Sequence, residues 1–117
     1  GWWGSLYHEH GRRILGKNKL KEGEYLKPEQ WNNYEILAVG HRIWLAINDK
    51  VTVALRDPIG ELDGQISLQI HGGIPQKIIY RNLKLVRDPK VEMLGMKEAE
   101  LNKLLSLAPK GFVKPKK

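Results

Sequence analysis

The sequence predicts an all-β sandwich followed by one C-terminal α-helix. Between residues 34 and 86 turn signals recur at intervals of about 8–12 residues, which is typical of short antiparallel strands rather than of a parallel α/β sheet. Apolar and polar residues alternate between those signals, which is the period of a strand with one buried face. After Asp88-Pro89 the period changes to that of a helix.

Five segments are predicted to be strands, and the phase of the fifth is unclear because Ile78, Ile79 and Tyr80 are consecutive. The first three are expected at residues 34–39, 42–48 and 51–55. Gly40-His41 and Asn48-Asp49 stand between them as two-residue turns, because hairpin turns of this length need residues that accept positive φ.

A loop containing Asp57-Pro58, Gly60 and Asp63-Gly64 follows the third strand. The fourth and fifth strands are expected at 65–70 and 76–86, and two further short strands at Leu6-Tyr7 and Ile14-Leu15. The apolar members of the alternating segments are predicted to be the most buried residues: Ile36, Leu37, Ile43, Leu45, Ile47, Leu68, Ile70 and Leu83.

In the C-terminal part of the chain the apolar residues have the spacing of a helix rather than of a strand. Met96, Leu101, Leu104 and Leu105 fit one helical face, which predicts a helix near residues 96–107 that ends at Ala108-Pro109. The predicted organisation is therefore a sandwich portion over 1–88, a linker and amphipathic helix over 89–108, and a basic tail over 109–117.

Composition excludes several classes of protein. The chain has 117 residues and no Cys, which leaves room for one domain and excludes disulfides and thiol catalysis. No apolar run is long enough to span a membrane. The net charge of +7 is concentrated after residue 80. The basic end is interpreted as a solvated tail rather than a nucleic-acid-binding surface, because no aromatic residues interleave with its lysines.

Three local groups of residues could bind or convert a polar substrate. The first is Tyr7, His8, Glu9, His10 and Arg12; the second is Trp31-Asn32-Asn33-Tyr34-Glu35; the third is Gln69, His71 and Arg81 beside Gly72-Gly73. Sugar sites combine flat aromatic rings with planar amide, carboxylate and guanidinium groups that pair with hydroxyls. Each group also has an interpretation without a ligand, as a solvent-exposed strand face, a core aromatic or a surface charge. His8 and His10 alone are too few for a closed metal site.

The same residues carry a resemblance to a known family. Residues 1–12 (GWWGSLYHEHGR), 29–40 (EQWNNYEILAVG), 67–73 (SLQIHGG) and 80–85 (YRNLKL) resemble consecutive blocks of the 3-keto-disaccharide hydrolase domain, long described only as a domain of unknown function. The resemblance covers residues 1–86. It implies a concanavalin-like jelly roll with a sugar site on a concave face, a chain that starts within the domain, a periplasmic or secreted location, and self-association through an incomplete sheet.

The resemblance also implies a reaction and a set of roles. A carbohydrate substrate oxidised at C3 would lose its C2 proton to a base and then its C1 substituent. His71 is the first candidate for the base, and Glu35 is the alternative base or the acid that assists the leaving group. The candidate substrate-binding residues are Tyr7, Glu9, Arg12, Trp31, Gln69 and Arg81. The enediolate oxygens would be held by Arg81, Arg12 or a divalent cation.

The sequence also departs from the family. The family often has Asp or Glu at the position of His8, and Arg or Trp at the position of Ile79. The rival interpretation is a non-catalytic glycan-binding or interaction module of the same fold.

Overall fold

A computed structural model describes residues 3–68, 73, 75 and 77–111. Over these residues the chain is mainly β, with short helices at Glu22–Tyr25 (α1) and Glu98–Lys103 (α2). The strands, in chain order, are β1 Leu6–His8, β2 Arg13–Gly16, β3 Tyr34–Val39, β4 Arg42–Ile47, β5 Lys50–Arg56, β6 Glu92–Met93, β7 Met96–Lys97 and β8 Ser106–Leu107. Neither helix has the length and apolar character needed to cross a bilayer.

The centre of the fold is a four-stranded sheet in the order β3-β4-β5-β8. The β3–β4 and β4–β5 pairs are antiparallel hairpins whose turns are the two predicted from the sequence. Gly40 has φ +58, and Asn48 and Asp49 have φ +47 and +68. A two-residue hairpin turn requires such angles, because they match the twist of the strands that it joins.

The two faces of this sheet are covered by different parts of the chain. Leu37, Trp44 and Ala46 lie on one face and pack with Met93 and Leu101. The opposite face of β4 and β5 packs against the β1–β2 hairpin and the end of β8, through the buried residues Leu45, Val53, Leu55 and Ala108 and the half-buried residues Leu6, Leu15 and Ile43. The prediction that Leu37, Leu45 and Ile47 are buried is confirmed.

The C-terminal residues belong to the same packed structure. β6 and β7 form a hairpin around Leu94 and Gly95, which both have positive φ. Trp44 lies fully buried beneath α2 and donates a hydrogen bond from its indole Nε1 to the carbonyl of Leu101 at 2.9 Å. β8 then pairs with β5 in parallel. The predicted helix is therefore present but shorter than 96–107, because the residues before it pair in β7 and the residues after it pair in β8.

Two of the predicted strands are wrong as far as the structure describes them. Residues 65–68 and 77–86 form no strand, although the apolar residues of 65–68 alternate. The predicted burial fails there as well, since Leu68 is 55% exposed and Leu83 is 70% exposed. Ile36 is in a correctly predicted strand but is 65% exposed, because β3 is an edge strand whose outer part nothing covers among the described residues. Ile70 lies outside the described residues.

Candidate functional site

An open cleft of about 490 Å³ lies beside the Gly40-His41 turn. The β1–β2 hairpin forms one wall and the loop after β5 forms the other. Apolar side chains contribute much of the lining, and the groups that could contact a polar ligand are Tyr7, His8, Arg12, His41, Asp57, Glu61 and Lys110. A cleft with apolar walls and a few convergent polar groups is typical of a small-molecule site, and this volume is in the usual range.

Arg12 and Asp57 form the most strongly bonded pair in this cleft. Arg12 Nη1 and Nη2 donate to Asp57 Oδ1 and Oδ2 at 2.7 and 2.6 Å, and Nη1 also donates to the carbonyl of Pro109 at 2.9 Å. Only 11% and 7% of the two side chains are exposed. The hydrogen bonds from Arg12 hold the pKa of Asp57 below its usual range, and the same bonds raise the pKa of Arg12. Both groups therefore stay charged.

His8 is held by the same arginine. Its Nδ1 accepts hydrogen bonds from the backbone N–H of Arg12 at 3.2 Å and from Arg12 Nε at 3.3 Å. A Cβ at position 11 would lie within 2.6 Å of the imidazole atoms Cε1, Nε2 and Nδ1, so the ring lies directly against Gly11. A larger residue at this position would displace the ring.

Trp31 and Arg81 form a second cluster, in which a cation lies over an aromatic ring. The guanidinium of Arg81 lies 3.7 Å from the centroid of the Trp31 ring, a close cation–π contact. Trp31 remains 47% exposed. The loop that carries it is fixed by Asn48, whose Nδ2 donates to the carbonyl of Tyr25 and to Asn32 Oδ1 at 2.7 Å. The structure thus brings together two of the residues that the sequence predicts to bind substrate.

The two clusters lie at opposite ends of β3. Trp31 precedes the strand and His41 follows it, and six strand residues span roughly 17 Å. Glu35 lies near the Trp31 end, where its Oε1 accepts a hydrogen bond from Asn33 Nδ2 at 3.2 Å. Glu35 pairs with Ala46, so it shares the sheet face of Trp44, whereas Ile43 lines the cleft from the other face. The structure does not bring Glu35 to the cleft.

The remaining predicted residues are placed as follows. Glu9 is exposed next to His10, with 4.0 Å between Oε1 and Nε2, and lines a shallow depression with Tyr7. Gln69 and His71 lie outside the described residues. Within the part of the chain that the structure describes, no three His, Asp or Glu side chains gather as a set of metal ligands.

Sequence reasoning missed two contributors to the cleft. The sequence predicts His41 only as part of a turn and Asp57 only as part of a loop. Asp57 pairs with a residue 45 positions away, and no spacing rule reveals such a pair. The one available signal was an Asp directly after an alternating segment and before Pro, because a carboxylate at a strand end often bonds to its surroundings.

The comparisons with known proteins add one positive finding. A family model described as a 3-keto-alpha-glucoside-1,2-lyase-like domain matches residues 1–86. Neither the curated proteins nor the solved structures include a significant match to this chain. The match spans β1 to β5 and the segment that carries Arg81, and it ends before the β6–β7 hairpin.

Proposed function

Because the chain belongs to the 3-keto-alpha-glucoside-1,2-lyase-like domain family, we propose that it cleaves 3-keto-glycosides, including 3-keto-disaccharides. The match over residues 1–86 is the single observation that carries the proposal. The family description names a 1,2-lyase, which is an enzyme that eliminates a group across two adjacent carbons. In a 3-keto-glycoside these carbons are C1 and C2.

The proposed chemistry follows from the ketone. The C3 carbonyl acidifies the C2 proton, a base removes that proton, and the electron pair passes to the C3 oxygen as an enolate. The enolate then collapses, C1=C2 forms, and the glycosidic oxygen leaves C1 with a proton. Water adds to the resulting enone to complete a net hydrolysis. An imidazole titrates near neutral pH and suits the first step, so His71 is the proposed base.

Glu35 is the alternative base, or the acid that protonates the leaving group. That role requires the sugar to bind at the Trp31 end of β3, where Arg81 and Trp31 present a cation and an aromatic face. The cleft offers the other binding position, with Tyr7, Glu9 and Arg12 at or beside it. A disaccharide is shorter than β3, so one substrate molecule cannot contact both clusters. Gln69, as a neighbour of His71 in sequence, is proposed to bind a sugar hydroxyl.

A non-catalytic glycan-binding module is the second candidate function. The position of Glu35 favours it, because this candidate acid or base lies on the sheet face away from the cleft. A binding module needs the aromatic and polar contacts but no gathered acid and base. Jelly-roll folds, to which the family resemblance points, support both kinds of function.

The test is a comparison of matched substrates. A 3-keto-glucoside and its unoxidised parent are incubated with the full chain, and release of the C1 substituent is measured. The proposal predicts turnover of the keto form and none of the parent, since the parent has no acidic C2 proton. Binding of both sugars without cleavage of either favours the module, and absence of binding and cleavage contradicts both functions.

A further inference from the structure

We propose that His8 is a catalytic hydrogen-bond donor, which presents its imidazole Nε2–H to the C3 oxygen of a 3-keto sugar bound in the cleft. This inference rests on the proposed function and adds to it a residue and a binding position. The sequence places His8 in a group that could bind a polar substrate and gives it no specific role. The geometry around the ring points to a different use.

The partners of Nδ1 determine which nitrogen carries the proton. The backbone N–H and the Nε–H of Arg12 both point at Nδ1, and both groups are donors that cannot accept a hydrogen bond. Nδ1 must therefore supply its lone pair. A proton on Nδ1 would face two donors and lose both bonds, so Nε2 is the nitrogen that carries the proton.

Arg12 is in turn fixed by Asp57. The guanidinium uses Nη1 and Nη2 on the carboxylate, Nη1 also on the Pro109 carbonyl, and Nε on the imidazole. The guanidinium is largely buried and engaged on each nitrogen, so Arg12 acts as a positioning residue for His8. Gly11 completes the arrangement because it lets the ring lie against the backbone.

The Nε2–H of His8 is the ring group that Arg12 does not contact. It makes no hydrogen bond to any of the residues that the structure describes, while His8 lines the cleft. An imidazole N–H that donates a hydrogen bond to an enolate oxygen stabilises the charge on that oxygen, and it does so without transferring its own proton. The C3 oxygen of the keto sugar is the atom on which negative charge develops when C2 loses its proton.

Two substitutions of His8 separate donation from proton transfer. His8→Ala removes the donor, and loss of one such donor typically lowers kcat by about 10²–10³-fold. His8→Gln places an amide N–H close to the position of Nε2–H but cannot act as an acid or base at neutral pH. The proposal predicts that Gln restores most of the activity that Ala loses. Lys19→Ala is the control, since Lys19 is exposed and lines neither the cleft nor the depression beside Glu9, and it should leave kcat unchanged.

The position of the proton is read separately by ¹⁵N NMR of the imidazoles. The expected spectrum of the wild type has a protonated Nε2 and an unprotonated Nδ1 at His8, and addition of the 3-keto-glucoside should shift the Nε2–H resonance. Arg12→Lys removes the Nε donor while keeping a cation for Asp57, so the population of the Nδ1–H tautomer of His8 should rise.

The outcomes distinguish the two proposals. Suppose that the wild type cleaves keto sugars. If His8→Ala then has the same kcat as the wild type, or if His8→Gln is as inactive as His8→Ala, the donor role is wrong and the proposed function stands. A protonated Nδ1 at His8 in the wild type also overturns the donor role. If the wild type cleaves no keto sugar, the proposed function fails, whatever the spectrum shows.

Discussion

The guanidinium of Arg12 and the carboxylate of Asp57 bind each other through two parallel hydrogen bonds of 2.7 and 2.6 Å. The pair joins the β1–β2 hairpin to the residue that follows β5, and a third bond from Arg12 reaches Pro109 near the C-terminal end of the described chain. Two separate parts of the cleft are thereby held at a fixed distance. The same contact gives the cleft its shape and orients His8.

Asp57→Asn should destabilise the fold strongly. Removing one partner of a buried ion pair leaves the other charge without compensation and typically costs about 3–5 kcal/mol. The free energy of unfolding, measured by urea titration at pH 7, should fall by an amount of this order. Asp63→Asn, a change at an exposed residue of the same loop, is the control and should have little effect. Equal stability of Asp57→Asn and the wild type would contradict a structural role for the pair.

Asp57 should also make stability depend on pH. The pKa of Asp57 is lower in the folded chain than in the unfolded chain, where a free Asp titrates near 3.9. The folded state therefore binds its proton less readily, and the contribution of the pair is complete above about pH 4. That contribution should be lost as the pH falls through the lowered pKa. The difference in unfolding free energy between wild type and Asp57→Asn, followed from pH 6 to 2, should shrink with acid. A difference that grows with acid would contradict the assignment.

Leu101→Ala should loosen α2 from the sheet. Leu101 is fully buried against Trp44, and truncating a buried leucine to alanine typically costs about 2–5 kcal/mol. Leu104→Ala, on a side chain that is 43% exposed, is the control and should cost much less. Thermal unfolding followed by Trp fluorescence measures both. Equal losses in the two variants would show that the C-terminal helix does not pack as described.

The central hairpins were predictable because local rules determine them. Alternation over residues 34–55 and the turn residues Gly40 and Asn48 specify which segments pair and in what register. The same alternation at 65–68 and the apolar content of 77–86 were misleading. A strand needs a neighbour to accept its backbone hydrogen bonds, and sequence period does not reveal whether that neighbour exists. Ile36 shows the same limit, since alternation assigns it to a face but does not tell whether the face is covered.

The candidate site was predictable only in its residue types. The sequence singled out Arg12, Trp31 and Arg81, and the structure pairs the last two at 3.7 Å. Arg12 was expected to contact substrate, whereas its guanidinium is bonded to Asp57 and Pro109. These contacts depend on how distant segments fold together. Local spacing carries no information about them.

Trp31→Ala should reveal whether a sugar binds at the Trp31 end of β3. If the sugar uses this aromatic face, loss of the ring should raise KM by roughly 2- to 12-fold, the range that aromatic contacts usually contribute. The value of kcat should stay the same, because the contact is equal in ground and transition states. Trp3→Ala, at another exposed tryptophan, is the control. An unchanged KM in Trp31→Ala would assign the sugar to the cleft alone.

Ile36→Glu should suppress self-association. Tyr34, Ile36 and Ala38 share the sheet face of Leu45 but are exposed, and β3 is an edge of the described sheet. Exposed apolar edges favour pairing between chains, and a charge on the edge opposes it. Sedimentation velocity should show concentration-dependent association of the wild type and a monomer for Ile36→Glu.

The control for this change is Ile66→Glu, which adds the same charge at a residue 76% exposed and outside the strands. It should associate like the wild type. A wild type that stays monomeric at every concentration would contradict association through β3.

The fate of the C2 proton tests the central claim most directly. The 3-keto-glucoside is cleaved in D₂O by the wild type and by His71→Ala, and the 3-keto-glucose formed is analysed at once for deuterium at C2. Elimination followed by hydration predicts deuterium at C2 in excess of product incubated alone. It also predicts a rate for His71→Ala that is lower by about 10²–10⁴-fold, the usual contribution of a general base. Product that retains protium at C2, formed equally fast by both enzymes, would contradict the account.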